Sequence, residues 1–401
     1  MSAEPEFLVA RVERLVASGA GLARVDGQVV FVRGALPGDL VRARIVRRAR
    51  RHLEAETVER IESSPERRAP RCRHFGACGG CALQDLSYPA QLAAKRALLC
   101  DALRSIAGIR TEIPLEIIGS PEYGWRARGE FQLAPTADGS RPAAFRPRSS
   151  ELTPLAECPV LVPELEAELR RRAAGPWTAA PAARVLRLAA GTAGVAAVEL
   201  DANGALIGAE PEVVQHVAGF ALACGAASFF QGNRALLEPL VERATGGARG
   251  ALAFDLYAGS GLFSLPLSRA FDLVLAAEED PAAVERSRRN AAANGRTNVR
   301  FEAADVARWI VRARRLDPDF VLLDPPRSGP GPGVAEAVAA VARREIRYVS
   351  CDPATLARDL RAMLARGWRL ESLALLDLFP QTLHVESVAR LVPALSPAVG
   401  A

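Results

Sequence analysis

Phe254-Asp255-Leu256-Tyr257-Ala258-Gly259-Ser260-Gly261-Leu262-Phe263 reads as an apolar strand that ends in a glycine-rich turn and opens a helix. A lone Gly-x-Gly is a weak signal, because many are only tight turns. Its surroundings strengthen it. Apolar runs at 252–257, 272–277, 299–302, 319–323 and 346–350 alternate with Ala-rich stretches of helical pattern. That alternation predicts a doubly wound parallel sheet over 228–401, an α/β, Rossmann-like domain.

The strand Leu273–Ala277 ends in Glu278, placed where an acid meets the ribose hydroxyls of a nucleoside cofactor. The next strand ends at Phe301-Glu302-Ala303-Ala304-Asp305, so Asp305 can meet an adenine. Taken singly, either acid reads equally well as a solvated strand end. The ordered set favours a pocket. No third glycine is placed to receive a pyrophosphate, so the turn suits S-adenosylmethionine better than NAD.

Arg347-Tyr348-Val349-Ser350-Cys351-Asp352-Pro353 sets a cysteine at the carboxyl edge of the same sheet, just before a helix start at Ala354–Leu360. The helix dipole there lowers a thiol pKa, although a buried structural Cys is the plainer reading of the segment by itself. Phe320-Val321-Leu322-Leu323-Asp324-Pro325-Pro326-Arg327 is a strand ending in an acid held by two prolines. Leu378-Phe379-Pro380-Gln381-Thr382-Leu383-His384-Val385-Glu386-Ser387 adds a second carboxylate.

Outward from this core, residues 1–63 alternate apolar and polar positions in Phe7–Val12, Gln28–Val32 and Leu40–Val46, with glycine and proline turns between them. They predict a small OB-like β-barrel. Seven Arg against one acid, Asp39, between Arg33 and His52 suggest a face for a nucleic-acid backbone, or only a solvated strand face. Residues 64–82 are a Pro/Arg/Cys/Gly connector. A helix is expected over 88–107, its apolar stripe Leu92, Leu99, Leu103 and Ile106, with Cys100 in the core and the helix packed on the C-terminal domain. Residues 116–225 look like a second β-rich domain with a helix near 162–174.

The 401-residue chain is 49% apolar and 24% charged, which excludes a disordered or fibrous protein. No apolar stretch suits a membrane span, and the N-terminus does not read as a secretory signal, so a cytoplasmic protein without a membrane partner is expected. All but one of the 51 basic residues are Arg, the exception being Lys95. Seven Cys, three of them between 72 and 81, point to metal or catalytic chemistry in a reducing compartment. Cys72, Cys78, Cys81 and the distant Cys158 lean to a 4Fe–4S cluster by spacing, with zinc or unliganded thiols as alternatives. Cys100 and Cys224 have no such partners and read as core.

FFQGN (229–233), DLYAGSGLFSLPL (255–267), LDPPRSG (323–329), VSCDPATLARDL (349–360) and LFPQTLHVESV (378–388) together resemble the uracil-C5 RNA methyltransferases. Residues 1–63 resemble the TRAM RNA-binding domain, and with the cysteines they resemble the branch acting on 23S ribosomal RNA. The resemblance implies a class I methyltransferase domain and S-adenosylmethionine as donor. It implies Cys351 as nucleophile toward uracil C6 and Glu386 as the base that removes the C5 proton. Asp324 would hold uracil or position the cofactor, and Gln231 would touch the cofactor. Tyr257, Glu278 and Asp305 would line its pocket. Leu262 stands where the family has Asn, Ala258 where Cys is frequent, Gly232 where Val is common. Asp352 replaces Asn beside Cys351, and its charge should oppose thiolate formation. The resemblance further implies a structural 4Fe–4S cluster on Cys72, Cys78, Cys81 and Cys158, in a central domain of 64–227. RNA is the expected partner, 23S rRNA ahead of the tRNA T-loop, and a monomer is expected. A non-catalytic RNA-binding protein or an iron–sulfur electron carrier are the rivals of other classes.

Overall fold

The computed structural model describes residues 6–110, 112–137, 139–174 and 179–394. The chain forms two compact units, Met1–Asp101 with Gln381–Leu383, and Ala102–Pro380 with His384–Ala401. The boundary falls inside the helix expected over 88–107. Among the described residues no helix is long and apolar enough to cross a membrane.

The first unit carries β1 (Phe7–Arg11), β2 (Arg14–Leu15), β3 (Gly21–Val25), β4 (Gln28–Arg33), β5 (Leu40–Arg48) and β6 (His52–Glu62), in the order β1-β5-β6-β4-β3-β2. The outermost strands, β1 and β2, follow one another across Val12 and Glu13, so the sheet curls back on itself as a barrel does. Three register shifts between β5 and β6 supply the coiling. Asp26 and Gly27, with φ of 48° and 78°, make the tight β3–β4 hairpin, a conformation glycine adopts without strain. Ala10, Val30, Val32, Val41, Ala43, Leu53 and Ala55 fill the interior.

The basic run is less bare than its sequence suggests. Strand β6, unforeseen from the pattern, lays carboxylates beside it: Glu54 takes Arg47 Nε at 2.8 Å and Arg33 at 3.5 Å, and Glu56 takes Arg44 at 3.5 Å. Asp39, the one acid of that run, is fully buried. Its carboxylate accepts from Leu36 N (2.8 Å), Ser64 N (2.7 Å) and Arg67 Nη2 (2.6 Å). Burial opposes its ionisation, but the Arg67 guanidinium and these N–H groups hold the carboxyl below its ordinary value. Asp39→Ala is therefore expected to destabilise the first unit by about 3 kcal/mol, since it leaves two buried amides unpaired and takes from Arg67 one of its two carboxylates, Asp85 being the other. A depressed carboxyl stabilises above its unfolded pKa and loses that contribution as pH falls through the folded one. Urea unfolding should show wild-type stability dropping below about pH 4 and a flatter variant; equal slopes would contradict this.

Helix α1 (Tyr88–Ala102) buries Gln91, Lys95 and Leu99, and Leu103 follows four residues later in a π-helical turn, Leu103–Ala107. Leu99 and Leu103 of the expected stripe are buried, Leu92 is half-buried, and Ile106 is exposed. The polar residue is tolerated because Gln91 Nε2 donates to Leu83 O (2.8 Å), Leu86 O (2.9 Å) and Gln381 Oε1 (2.9 Å). Cys100 is only half-buried, whereas Cys224 is fully buried.

The second unit opens with β7 (Leu115–Ile118). An antiparallel sheet follows, of β8 (Arg128–Thr136), β9 (Gly139–Phe145), β10 (Leu152–Pro154), β11 (Val185–Ala190), β12 (Val195–Leu200) and β13 (Leu206–Ile207), ordered β10-β9-β8-β11-β12-β13 with α2 (Pro163–Ala174) against it. A hairpin of β14 (Glu212–Val217) and β15 (Phe220–Gly225) leads to α3 (Leu237–Thr245). Then come β16 (Gly250–Leu256), α4 (Ser264–Leu267), β17 (Phe271–Glu278), α5 (Pro281–Ala293), β18 (Val299–Ala303), α6 (Val306–Arg312), β19 (Phe320–Leu323), α7 (Val334–Val341), β20 (Glu345–Ser350), α8 (Pro353–Leu364), β21 (Trp368–Leu376) and β22 (Glu386–Pro393). The sheet runs β18-β17-β16-β19-β20-β22-β21-β7.

Strands β16 to β20 are parallel and match the five apolar runs within two residues. The order reverses between β16 and β19, the switch point where open α/β sheets bind ligands. Strand β22 is antiparallel to both β20 and β21, and β7 joins the far edge parallel to β21. Neither β21 nor β22 was foreseen, and β7 leaves the expected central domain for this sheet.

Candidate active site

The chain turns sharply after β16. Tyr257 takes φ 65°, a strained value for a side-chain-bearing residue, followed by Gly259 at 53° and Gly261 at 88°. Tyr257 is pinned by N–H donation to Ala277 O (2.9 Å) and hydroxyl donation to Pro330 O (2.7 Å). Gly259 N donates to Glu278 Oε2 (2.9 Å), and Asp280 N to Glu278 Oε1 (2.9 Å). Glu278 thereby joins the ends of β16 and β17 and keeps lone pairs toward the switch point, which suits ribose hydroxyls. Asp305 acts locally, its Oδ1 capping α6 by accepting from Arg308 N at 2.8 Å. Leu262 is buried in the hydrophobic core with Leu265 and Phe301. Its side chain packs rather than hydrogen-bonds, so only its backbone can serve a cofactor there.

Asp255, wholly buried, accepts from Ser264 Oγ, while its Oδ1 has no partner. Burial, reinforced by the charge of Glu278, pushes its carboxyl up to about 7. Asp324 leaves β19 with its N–H on Leu256 O (3.2 Å), and its Oδ2 accepts from Gln231 Nε2 (3.4 Å). Burial and the charge of Asp255 raise the Asp324 carboxyl to about 7, against the Gln231 hydrogen bond.

Cys351 and Glu386 meet through sheet register. Ser350 of β20 pairs with Ser387 of β22 in an antiparallel ladder. Cys351 follows Ser350 and Glu386 precedes Ser387, so both leave the same end of this ladder. Glu386 is 2% exposed and Cys351 half-buried. Burial and then the Glu386 charge push the thiol up to about 11, with Asp324 adding and the Arg327 cation opposing. Glu386 is itself raised well above the ordinary carboxylate range by burial and by Asp324, again against Arg327. The expected lowering of the thiol is therefore overturned: α8 begins at Pro353, but its dipole is outweighed. The expected opposition from Asp352 is redirected as well. Asp352 caps α8, accepting from Thr355 N (2.8 Å) and Thr355 Oγ1 (2.5 Å), and the carboxylates acting on the thiol are Glu386 and Asp324.

Two contributors were quoted in the sequence but given no role. Arg327 Nη2 lies 3.1 Å from His384 Nε2, and Thr355 Oγ1 donates to its carbonyl (2.9 Å). It is the cation that acts on both Cys351 and Glu386. A cation directly after the Asp-Pro-Pro strand end was the signal for it. Phe229 is 78% exposed two residues before Gln231, the most exposed large apolar side chain among the described residues. His384 stacks edge-on against Phe379 at 5.6 Å.

Cys72, Cys78 and Cys81 occupy one loop of the first unit. Cys78 N donates to His74 O (2.7 Å), Cys72 N to Gln84 Oε1 (3.0 Å), and Gly80 N to Cys78 Sγ (3.4 Å). Cys158 belongs to the second unit, ahead of α2. The thiol donor set and the amide aimed at sulfur suit iron. Among the described residues, however, no three His, Cys, Asp or Glu side chains are gathered so as to hold a metal ion.

The strand order and the strained glycine turn at the switch point define an α/β methyltransferase. Residues 7–58 match the TRAM domain, and residues 220–392 match the tRNA (Uracil-5-)-methyltransferase family. The chain is 33% identical to the 23S rRNA (uracil(1939)-C(5))-methyltransferase RlmD of Pseudomonas entomophila, over 94% of this chain and 92% of that one. It is 32% identical to the RlmD of Klebsiella pneumoniae, over 96% and 95% of the two chains. The crystal structure of Pyrococcus abyssi tRNA (uracil-54, C5)-methyltransferase in complex with S-adenosyl-L-homocysteine superposes with a TM-score of 0.70 at 26% identity, covering 96% of this chain and 100% of that one. The chain belongs to the RNA uracil-C5 methyltransferase family.

Proposed function

We propose that this protein methylates C5 of a uridine in 23S rRNA, through a covalent bond between Cys351 and uracil C6. The observation that carries the chemistry is that Cys351 and Glu386 leave the same end of the β20–β22 ladder, close enough for the Glu386 and Asp324 charges to act on the thiol. The names of the relatives similar over nearly the whole chain favour the ribosomal substrate. The similarity to a tRNA (uracil-54, C5)-methyltransferase supports a second reading, the tRNA T-loop. Mapping 5-methyluridine in rRNA and tRNA from a deletion strain separates them: loss from 23S rRNA alone supports the first, and loss from tRNA alone overturns it.

In this reading residues 1–63 hold RNA, 64–227 carry the cluster, 228–401 perform the transfer, and the enzyme acts as a cytoplasmic monomer. Bound S-adenosylmethionine supplies an electrophilic methyl on sulfur. Tyr257, Glu278, Asp305 and the backbone of Leu262 line its pocket, and Gln231 ties that pocket to Asp324. The Cys351 thiolate adds to C6, and the C5=C6 electrons move toward C5 and O4. C5 then takes the methyl. Glu386 removes the C5 proton, the double bond reforms, and the C6–S bond breaks to return the thiolate. A thiol held near 11 is scarce as thiolate but strongly nucleophilic, and a carboxylate with a raised pKa is a strong base.

Arg327 offsets part of that penalty. Arg327→Met is expected to raise the thiol pKa further and to slow single-turnover transfer about tenfold at pH 7, one pKa unit being a tenfold change in thiolate. The deficit should hold at about tenfold from pH 7 to 9, since both lie well below a thiol near 11. A rate of Cys351 alkylation unchanged by the substitution would assign Arg327 another role.

For the cysteines we infer a 4Fe–4S cluster on Cys72, Cys78, Cys81 and Cys158, supported by their number, spacing and soft donor chemistry. Protein purified without oxygen is expected to hold about four irons per chain. Cys158→Ser should lose most of that iron, and one zinc without iron would refute the inference.

A further inference from the structure

The segment that delivers Gln231 is gripped on both sides. Upstream, Arg128 Nη2 of β8 donates to the carbonyls of Gly225, Ala226 (3.1 Å) and Ser228 (2.7 Å). Arg187 Nη1 of the neighbouring β11 takes the one carbonyl left between them, that of Ala227 (2.5 Å). The amides of Ala227 and Ser228 both donate to Glu210 Oε1 (2.9 Å each), and Arg286 bridges Glu210 Oε2 (2.7 Å) and Ser228 Oγ (3.0 Å). Downstream, Ala127 N donates to Gly232 O (2.7 Å), Arg234 N to Trp125 O (3.2 Å), and Asn233 Nδ2 to Leu378 O (3.1 Å). Only 229–231 lie between the two grips: exposed Phe229, buried Phe230, and Gln231 on Asp324.

We propose that Arg128 is a positioning residue: with Arg187 and the Arg286–Glu210 pair it sets the path of 225–228, and so sets where Gln231 meets Asp324 and the cofactor. The carbonyls of Gly225, which ends β15, and of Ala226, Ala227 and Ser228 are all taken by two guanidinium groups, so beyond β15 side chains hold the backbone where no ladder or helix does. Arg128 also carries a cost that simple packing does not need, since its Nη1 is buried without a partner. The antiparallel sheet of β8 and β11 thus takes part in the transfer without touching the reacting atoms.

The proposal rests on the reading of Gln231 as a cofactor contact, and the test separates the two. S-adenosylmethionine binding by calorimetry and single-turnover rates are measured for Arg128→Met, Arg128→Lys, Gln231→Ala and the Arg128→Met/Gln231→Ala pair. Displacing a contact group by about an ångström costs one to two orders of magnitude. Arg128→Met is expected to lose ~10-fold or more in rate or affinity, Arg128→Lys less. The double variant should be no more than about twofold worse than Gln231→Ala, because residues acting as one unit are not additive. Amide hydrogen exchange at 227–231 should quicken in Arg128→Met while β16 to β20 stay protected. Multiplied effects in the double variant, or unchanged exchange at 227–231, overturn the proposal. If Gln231→Ala alone changes nothing, the cofactor reading of Gln231 falls, and the exchange result still decides whether Arg128 holds the segment. Should Arg128→Met fail to fold, Arg187→Met, which removes the Ala227 contact and an ion pair to Glu130 (2.7 Å), is measured in its place with the same expectations, and Glu130→Gln serves as the control for the ion pair.

Discussion

Cys351→Ala is expected to abolish methyl transfer while leaving S-adenosylmethionine affinity within a few-fold of wild type. In the proposed mechanism the thiol acts on uracil, whereas the proposed pocket rests on the β16 turn and Glu278, which the substitution does not touch. Without addition at C6, C5 stays a poor nucleophile, and no side chain near it offers an equivalent: Asp324 and Glu386 are carboxyls, and Ser350 is hydrogen-bonded within its own turn. Rate losses from removing a covalent nucleophile reach about six orders of magnitude. Folding should survive, since a half-buried thiol one residue beyond β20 contributes little packing. The measurement is single-turnover transfer of a labelled methyl to target RNA, paired with calorimetric cofactor binding. Turnover above background would remove Cys351 from the nucleophile role. Loss of cofactor binding in parallel would place it in the pocket instead.

Glu386→Gln should stall the reaction after methyl transfer. Thiolate addition and methylation need no base at C5. Only afterwards must the C5 proton leave, and only then can the C6–S bond break. The amide matches the carboxylate in shape but cannot take the proton. It also removes the carboxyl whose charge, after burial, does most to push the Cys351 thiol up, so the thiol should titrate lower in the variant. The expected product is a methylated RNA–protein adduct, seen on a denaturing gel as labelled protein shifted by the mass of the RNA. Reaching C6 requires an unstacked base, so the adduct should form on single-stranded or looped target and poorly on duplex. Free methylated RNA at wild-type rate, with no adduct, would assign the proton to another group.

The parallel half of the fold was legible because its strands are buried on both faces and read as unbroken apolar runs such as Phe320–Leu323. Strand β21, Trp368–Leu376, mixes Arg, Glu and Ser with Leu in a short run that periodicity does not separate from a helix. The α1 stripe was only partly legible for a related reason. Gln91 and Lys95 are buried polar residues, and a count of apolar positions cannot see hydrogen bonds to carbonyls such as those of Leu83 and Leu86. At the site, the acids closing the strands fell where an α/β ligand site expects them. What sequence hid was electrostatic. Neighbourhood along the chain suggested that Asp352 would act on Cys351, yet that carboxylate is occupied by a helix cap. The charges that matter, Glu386 and Arg327, stand 35 and 24 positions away in sequence. Arg128 was equally hidden, because its partners lie about a hundred residues downstream.

Strand β22 has an implication for biosynthesis. It pairs with β20 on one side and β21 on the other, so β21 and β7 have no place in the large sheet until β22 arrives. It is also the last element among the described residues, and it opens with Glu386. A ribosome therefore delivers Cys351, the proposed nucleophile, 35 residues before Glu386, the group proposed to let RNA go. A nascent chain able to bond uracil but not release it would be a suicide trap for its own substrate. Under the proposed mechanism the strand that closes the sheet also brings the base, so capture and release become possible at one moment.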